Sequence, residues 1–246
     1  MSENDTPRQF PADPPTCASC GIELGQRFCR QEKGKGPKNC PSFRYQDLVA
    51  EALQEFKANP DVLEFARQAS IQESEGYGNK ELGYAYLRPI KPRIQEIIEF
   101  AQKMNYRRIC LAFCVGLRKE AEIVEKIFSD NGFEVISVIC KAGSVSKEDL
   151  GLLKDQQIDP SSYETMCNPI LQAELLNRSG TELNILLGLC VGHDALFLHH
   201  ASAPCTVLAV KDRVLGHNPL AALYTAGSYH RHLLDAAPTA PAGDER

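Results

Sequence analysis

Residues 108–140 read RICLAFCVGLRKEAEIVEKIFSDNGFEVISVIC, and this stretch decides the fold. Its first part, Arg108–Cys114, is a short apolar run bounded by a Val-Gly turn, the pattern of a strand buried on both faces. Leu117–Asp130 follows with apolar and charged residues at the spacing of an amphipathic helix, and Asn131-Gly132 ends it. Phe133–Cys140 is a second apolar strand. A strand, a crossover helix and a second strand make a parallel pair.

The alternation continues downstream. Leu183–Cys190 and Thr206–Lys211 read as third and fourth strands, with helices at His193–His200 and after Asn218-Pro219. The excursion from Lys141 to Gly180 holds at least one helix, beginning at Asn168-Pro169. The expected fold is α/β: a Rossmann-like parallel sheet of about four strands with helices on both faces. A strand order of 2-1-3-4 puts a topological switch between strands one and three, where ligands bind beside the carboxyl ends of the strands.

Upstream, Tyr45, Leu48, Val49, Ala52, Leu53 and Phe56 repeat at helix spacing. Asn59-Pro60 opens a second helix through Val62, Phe65, Ala66 and Ala69, and Ile94, Ile97, Ile98 and Ala101 mark a third. Glu75 to Arg88, rich in glycine and tyrosine, reads equally as loop or strand. The expected organisation is a disordered 1–15, a metal-binding module at 16–43, a helical segment packed on the core at 44–105, the α/β domain at 106–235 and a disordered tail at 236–246.

With 246 residues, 43% apolar and 24% charged, the chain is long enough for one sizeable core plus an appended module. A net charge of −5 offers no electrostatic footprint for nucleic acid or an anionic membrane. No segment approaches the about 20 apolar residues of a spanning helix. Residues 1–15 lack the charged-then-apolar layout of a signal peptide, so the expected location is cytoplasmic. In that reducing compartment, ten cysteines point to metal or thiol chemistry before disulfides.

Four of them are spaced Cys17-x2-Cys20-x8-Cys29-x10-Cys40 within a polar, glycine-containing segment. A tight Cys-x-x-Cys turn aims two sulfurs at one ion, and Gly21 suits that knuckle. Four thiolates suit either zinc (Zn²⁺) or a 4Fe-4S iron–sulfur cluster. The alternatives are four unrelated thiols or a redox Cys-x-x-Cys; the latter sits at a strand-to-helix junction, whereas Cys17 follows a proline-rich lead.

A second set gathers at the expected carboxyl edge of the sheet. Cys114 and Cys190 each end an apolar strand and each open the tripeptide Cys-Val-Gly. Cys140 ends the second strand, and Cys167 precedes a helix start, where the dipole favours thiolate. Three or four of these would hold a second metal or iron–sulfur cluster with one position open to substrate. Cys110 and Cys205 read as packing residues. Nearby, His193, Asp194 and His217 are candidates for moving protons, and Lys211 and Arg213 for holding an anion. Asp194 has a plain alternative as a helix cap.

Several runs resemble one family: Cys17-x-x-Cys20 with Cys29 and Cys40-Pro41, Met166-Cys167-Asn168-Pro169, Gly188 to Asp194, and Lys211 to Pro219. They are similar to the domain-of-unknown-function family DUF1847, whose members are described as metal-binding proteins. The resemblance covers Cys17 to about Tyr224 and implies metal without implying a reaction. Three roles follow: an enzyme acting on a small-molecule or sulfur-containing ligand, a metal or electron carrier or sensor, or an interaction module organised by structural zinc.

Overall fold

The computed structural model describes residues 13–235; the expected disordered tail at 236–246 and most of the expected disordered 1–15 lie outside them. The chain divides into two compact units, Met1–Ile71 and Gln72–Arg246.

In the first unit, two single turns at Cys17–Ser19 and Leu24–Gln26 precede three helices, α1 (Pro41–Arg44), α2 (Gln46–Ala58) and the start of α3 (Pro60–Glu75). The segment ahead of α1 is held by a backbone bridge between Arg27 and Lys35 and by Phe28 stacked against Phe43, ring centres 4.4 Å apart. None of residues 13–71 is buried. A segment that buries so little apolar surface has no hydrophobic core to hold its loops.

The second unit opens with a two-residue antiparallel ladder, β1 (Tyr77–Gly78) and β2 (Arg88–Pro89), in the stretch that reads ambiguously as sequence. The elements then alternate: α4 (Arg93–Lys103), β3 (Arg108–Phe113), α5 (Arg118–Asp130), β4 (Glu134–Ile139), α6 (Pro169–Arg178), β5 (Leu183–Leu187), α7 (His193–His200), β6 (Cys205–Ala209) and α8 (Leu220–Tyr224). Four parallel strands pair in the order β4-β3-β5-β6, the expected 2-1-3-4.

The alternation of β3 explains the layering. Ile109 and Leu111 pack with Ile97, Ala121, Val124 and Phe128 of α4 and α5; Cys110 and Ala112 pack with Ala173, Leu176 and Phe197 of α6 and α7. Successive strand side chains point to opposite faces, so an all-apolar strand needs cover on both. No helix among the described residues is long and apolar enough to cross a membrane.

The strands stop earlier than their apolar runs. β5 ends at Leu187, three residues before Cys190, because Gly188 takes φ +67° and a Cβ there would lie 1.8 Å from the Leu117 Cδ1. Only glycine fits so close an approach at that backbone angle. Cys114 directly follows β3, whereas Cys190 lies in a turn, so the matching tripeptides do not occupy matching places.

Two stability predictions follow. Gly188→Ala should cost about 2 kcal/mol or more through overlap and backbone strain, read as a lower denaturant midpoint. Near the start of α4, Lys91 donates to Glu99, with Gln72 and Gln95 also donating, and together they hold the Glu99 carboxyl down at about 2. A depressed carboxyl contributes stability above its unfolded pKa and loses it as pH falls. The Glu99→Gln variant should therefore lose about 1–2 kcal/mol at neutral pH. Its deficit should shrink between the ordinary value of 4.5 and about 2 in acid denaturation.

Candidate functional site: a thiol cluster at the carboxyl edge of the sheet

Parallel register brings the first two thiols together. Phe113 pairs with Ile139, so Cys114 and Cys140 leave adjacent strands side by side, and the Cys140 N–H donates to the Phe113 carbonyl at 2.8 Å. Gln172 of α6, fully buried, clamps the same edge: its amide donates to the Val138 carbonyl at 2.7 Å and to the Phe113 carbonyl at 3.3 Å.

The third thiol arrives from the excursion. Residues 141–168 fold back through a bridge between Ser146 and Thr165 and an ion pair between Lys147 and Glu164 at 2.6 Å. The Asn168 N–H then donates to the Cys140 carbonyl at 2.8 Å. The Asn168 side chain caps α6 by accepting from the Leu171 N–H at 3.0 Å. Cys167, one residue before the cap, lies with its sulfur 3.8 Å from that of Cys140. Cys114 and Cys140 are buried and Cys167 is half-buried.

Cys140 sits between the other two. Its thiol hydrogen-bonds to Cys114, which with the Gly116 N–H and the Lys211 ammonium pulls Cys114 down to about 4 against the opposing effect of burial. The same thiol, helped by the charges of Lys141 and His193, pulls Cys167 down to about 6, again against burial. Cys140 is pushed strongly upward by Cys114, by Cys167 and by burial, although the Val115 N–H at 3.3 Å works the other way. Cys114 and Cys167 are thus biased toward the thiolate form and Cys140 toward the thiol. Cations and N–H groups near a sulfur favour its thiolate form.

The other expected site residues are distributed around this cluster. Cys190, half-buried, accepts from the Arg213 guanidinium at 3.1 Å. Lys211 reaches Cys114 instead, over Gly116, where a Cβ would stand 3.2 Å from the ammonium. The two cations therefore serve different sulfurs. His193 faces Cys167, the Asp194 carboxylate accepts from the Ala195 N–H at 2.8 Å, and the His217 Nδ1 accepts from the Asp212 N–H at 3.1 Å in a turn where His217 has φ +67°. Cys110 and Cys205 are raised by burial, and Cys205 also contacts Asn184. Gln172 and Lys141 carry roles that sequence reading missed; a glutamine on the otherwise apolar inner face of α6 was the available signal for the first.

In the first unit, Cys17, Cys20, Cys29 and Cys40 line a single cavity of 60 Å³ together with Phe28 and Gly36. A side chain at Gly36 would come within 2.8 Å of the Cys40 sulfur. Among the described residues, no three His, Cys, Asp or Glu side chains already stand in metal-holding positions.

A family model described as "Protein of unknown function (DUF1847)" matches residues 40–208. The chain belongs to the DUF1847 family. It is also 46% identical over 180 residues to "Uncharacterized protein MJ0455" of Methanocaldococcus jannaschii, covering 73% of this chain and 85% of that relative. The matched family span contains Cys114, Cys140, Cys167 and Cys190, whereas Cys17, Cys20 and Cys29 precede it and Lys211 and Arg213 follow it.

Removing the Lys211 charge separates these contributions. Lys211→Met takes a cation from Cys114, so the Cys114 titration should move upward from about 4, followed by thiolate ultraviolet absorbance.

Proposed function

We propose that this chain is a metal-binding thiol protein with two working parts. In this reading Cys17, Cys20, Cys29 and Cys40 hold one metal ion. The cluster of Cys114, Cys140 and Cys167 at the edge of a Rossmann-like sheet acts on a small molecule. The observation that carries the second part is the Cys140 sulfur 3.8 Å from that of half-buried Cys167, with Cys114 beside Cys140 at the end of the neighbouring strand.

The metal assignment rests on the first unit's need for an organiser. Residues 13–71 bury no side chain, yet the Cys17–Cys20 turn, Cys29 and Cys40 line one cavity. Metal–thiolate bonds supply the folding energy that such a segment lacks. Four thiolates suit a single zinc or an iron–sulfur cluster, and the expectation tested below is zinc.

A second metal or cluster at Cys114, Cys140, Cys167 and Cys190 is the rival reading. The 3.8 Å between Cys140 and Cys167 matches two thiolates each about 2.3 Å from one tetrahedral ion. It is too short for cysteines on different irons of a cluster. The Lys211 ammonium on Cys114 weighs against a dication there, because like charges compete for the same sulfur. Free thiols and no disulfide suit a cytoplasmic setting.

Metal and sulfide analysis of the anaerobically purified full chain tests the division. One zinc per chain is expected, lost in the Cys17→Ser/Cys20→Ser double variant and kept in Cys140→Ser. Zinc kept in the first and lost in the second would move the ion to the sheet edge. Acid-labile sulfide would select an iron–sulfur centre and an electron-carrier role. One zinc with no iodoacetamide reaction at Cys167 would reduce the protein to an interaction module.

A further inference from the structure

Cys140 and Cys167 belong to different elements but are tied twice. Their sulfurs lie 3.8 Å apart, and the Asn168 N–H binds the Cys140 carbonyl at 2.8 Å, which sets the two main chains side by side. A disulfide needs its sulfurs about 2.0 Å apart, a closure of about 1.8 Å. Their exposures differ in a useful way: Cys167 is half-buried and meets solvent, while Cys140 waits behind it, buried. That is the arrangement of an attacking thiol backed by a resolving thiol. Cys114 stands beside Cys140 at the end of the neighbouring strand.

We propose that the cluster contains a dithiol that reduces small disulfides, with Cys167 as the attacking sulfur and Cys140 as the resolving sulfur. The proposal rests on the reading of this cluster as a reaction centre. Cys167 thiolate attacks one sulfur of a disulfide RSSR. A Cys167–SR bond forms, the S–S bond breaks, and RS⁻ leaves. The Cys140 thiol then gives up its proton to solvent. The Cys140 thiolate attacks Cys167, forming the Cys140–Cys167 disulfide and releasing a second RS⁻. Two electrons pass from the two cysteines to the substrate, and the Cys140 proton ends in solvent. An external dithiol returns the pair to the reduced state by the reverse exchange.

The surroundings indicate the substrate class. The Lys141 ammonium acts on Cys167, so positive charge stands near the attacking sulfur. A small disulfide bearing carboxylates suits that environment better than a cationic one.

The test uses the full chain with the metal it carries on purification. It is exposed to dithiodipropionate, or to cystamine as the cationic comparison, and every cysteine is followed by peptide mass mapping. The expected product is a Cys140–Cys167 disulfide, formed faster with the dicarboxylate. Cys140→Ser should stop at a mixed disulfide on Cys167. Cys114→Ser should still form the Cys140–Cys167 disulfide. A parent chain that stops at the mixed disulfide, links Cys140 to Cys114 instead, or reacts only after a chelator strips its metal would overturn the proposal. Iodoacetamide separates the two failures. Alkylation of Cys167 without a Cys140–Cys167 disulfide sinks the dithiol step alone. No reaction at Cys167 with either reagent sinks the reading of the cluster as a reaction centre.

Discussion

The parallel pairing of β3 with β4 on one side and β5 on the other is the constraint on which the second unit depends. β3 is apolar at every inward position and covered on both faces, so its register cannot slip without exposing one set of side chains. Once Phe113 is opposite Ile139, the next residues of the two strands are Cys114 and Cys140. Their proximity is a consequence of sheet register. Gln172 strengthens the same edge by donating to carbonyls of both strands from a fully buried position.

Charge then divides the cysteines into classes. Cys110 and Cys205 are raised by burial, as expected of thiols packed in a core. Of the three clustered thiols, Cys114 and Cys167 are lowered and each has its own stabilising groups: Lys211 and the Gly116 N–H for Cys114, Lys141 and His193 for Cys167. Cys190 stands apart with Arg213. The two lowered thiols differ in exposure: Cys167 meets solvent, and Cys114 is buried.

The first unit follows another logic. Its helices and turns bury no residue, and its four cysteines line one cavity. A sheet domain positions thiols by packing, which leaves them free to react. A coreless module has only the thiols themselves to draw its loops together, and a metal is the usual means. This contrast separates a structural role for one cysteine set from a chemical role for the other.

Much of the fold was legible because hydrophobic period reports burial directly. The run 108–140 predicted strand, helix and strand, and the downstream strands and the α7 span followed by the same reading. The spacing of the two cysteine sets was equally visible. Tertiary structure alone decided which thiols meet. The Cys-Val-Gly repeat suggested that Cys114 and Cys190 are equivalent, but Gly188, pressed against Leu117, ends β5 early and turns Cys190 away from a strand end. Cys167 joins Cys140 through a long excursion whose closure depends on the Lys147–Glu164 pair and the Ser146–Thr165 bridge, contacts with no local periodicity to announce them. Local sequence determines which residues are apolar and how they repeat; only packing of distant segments determines which sulfurs meet.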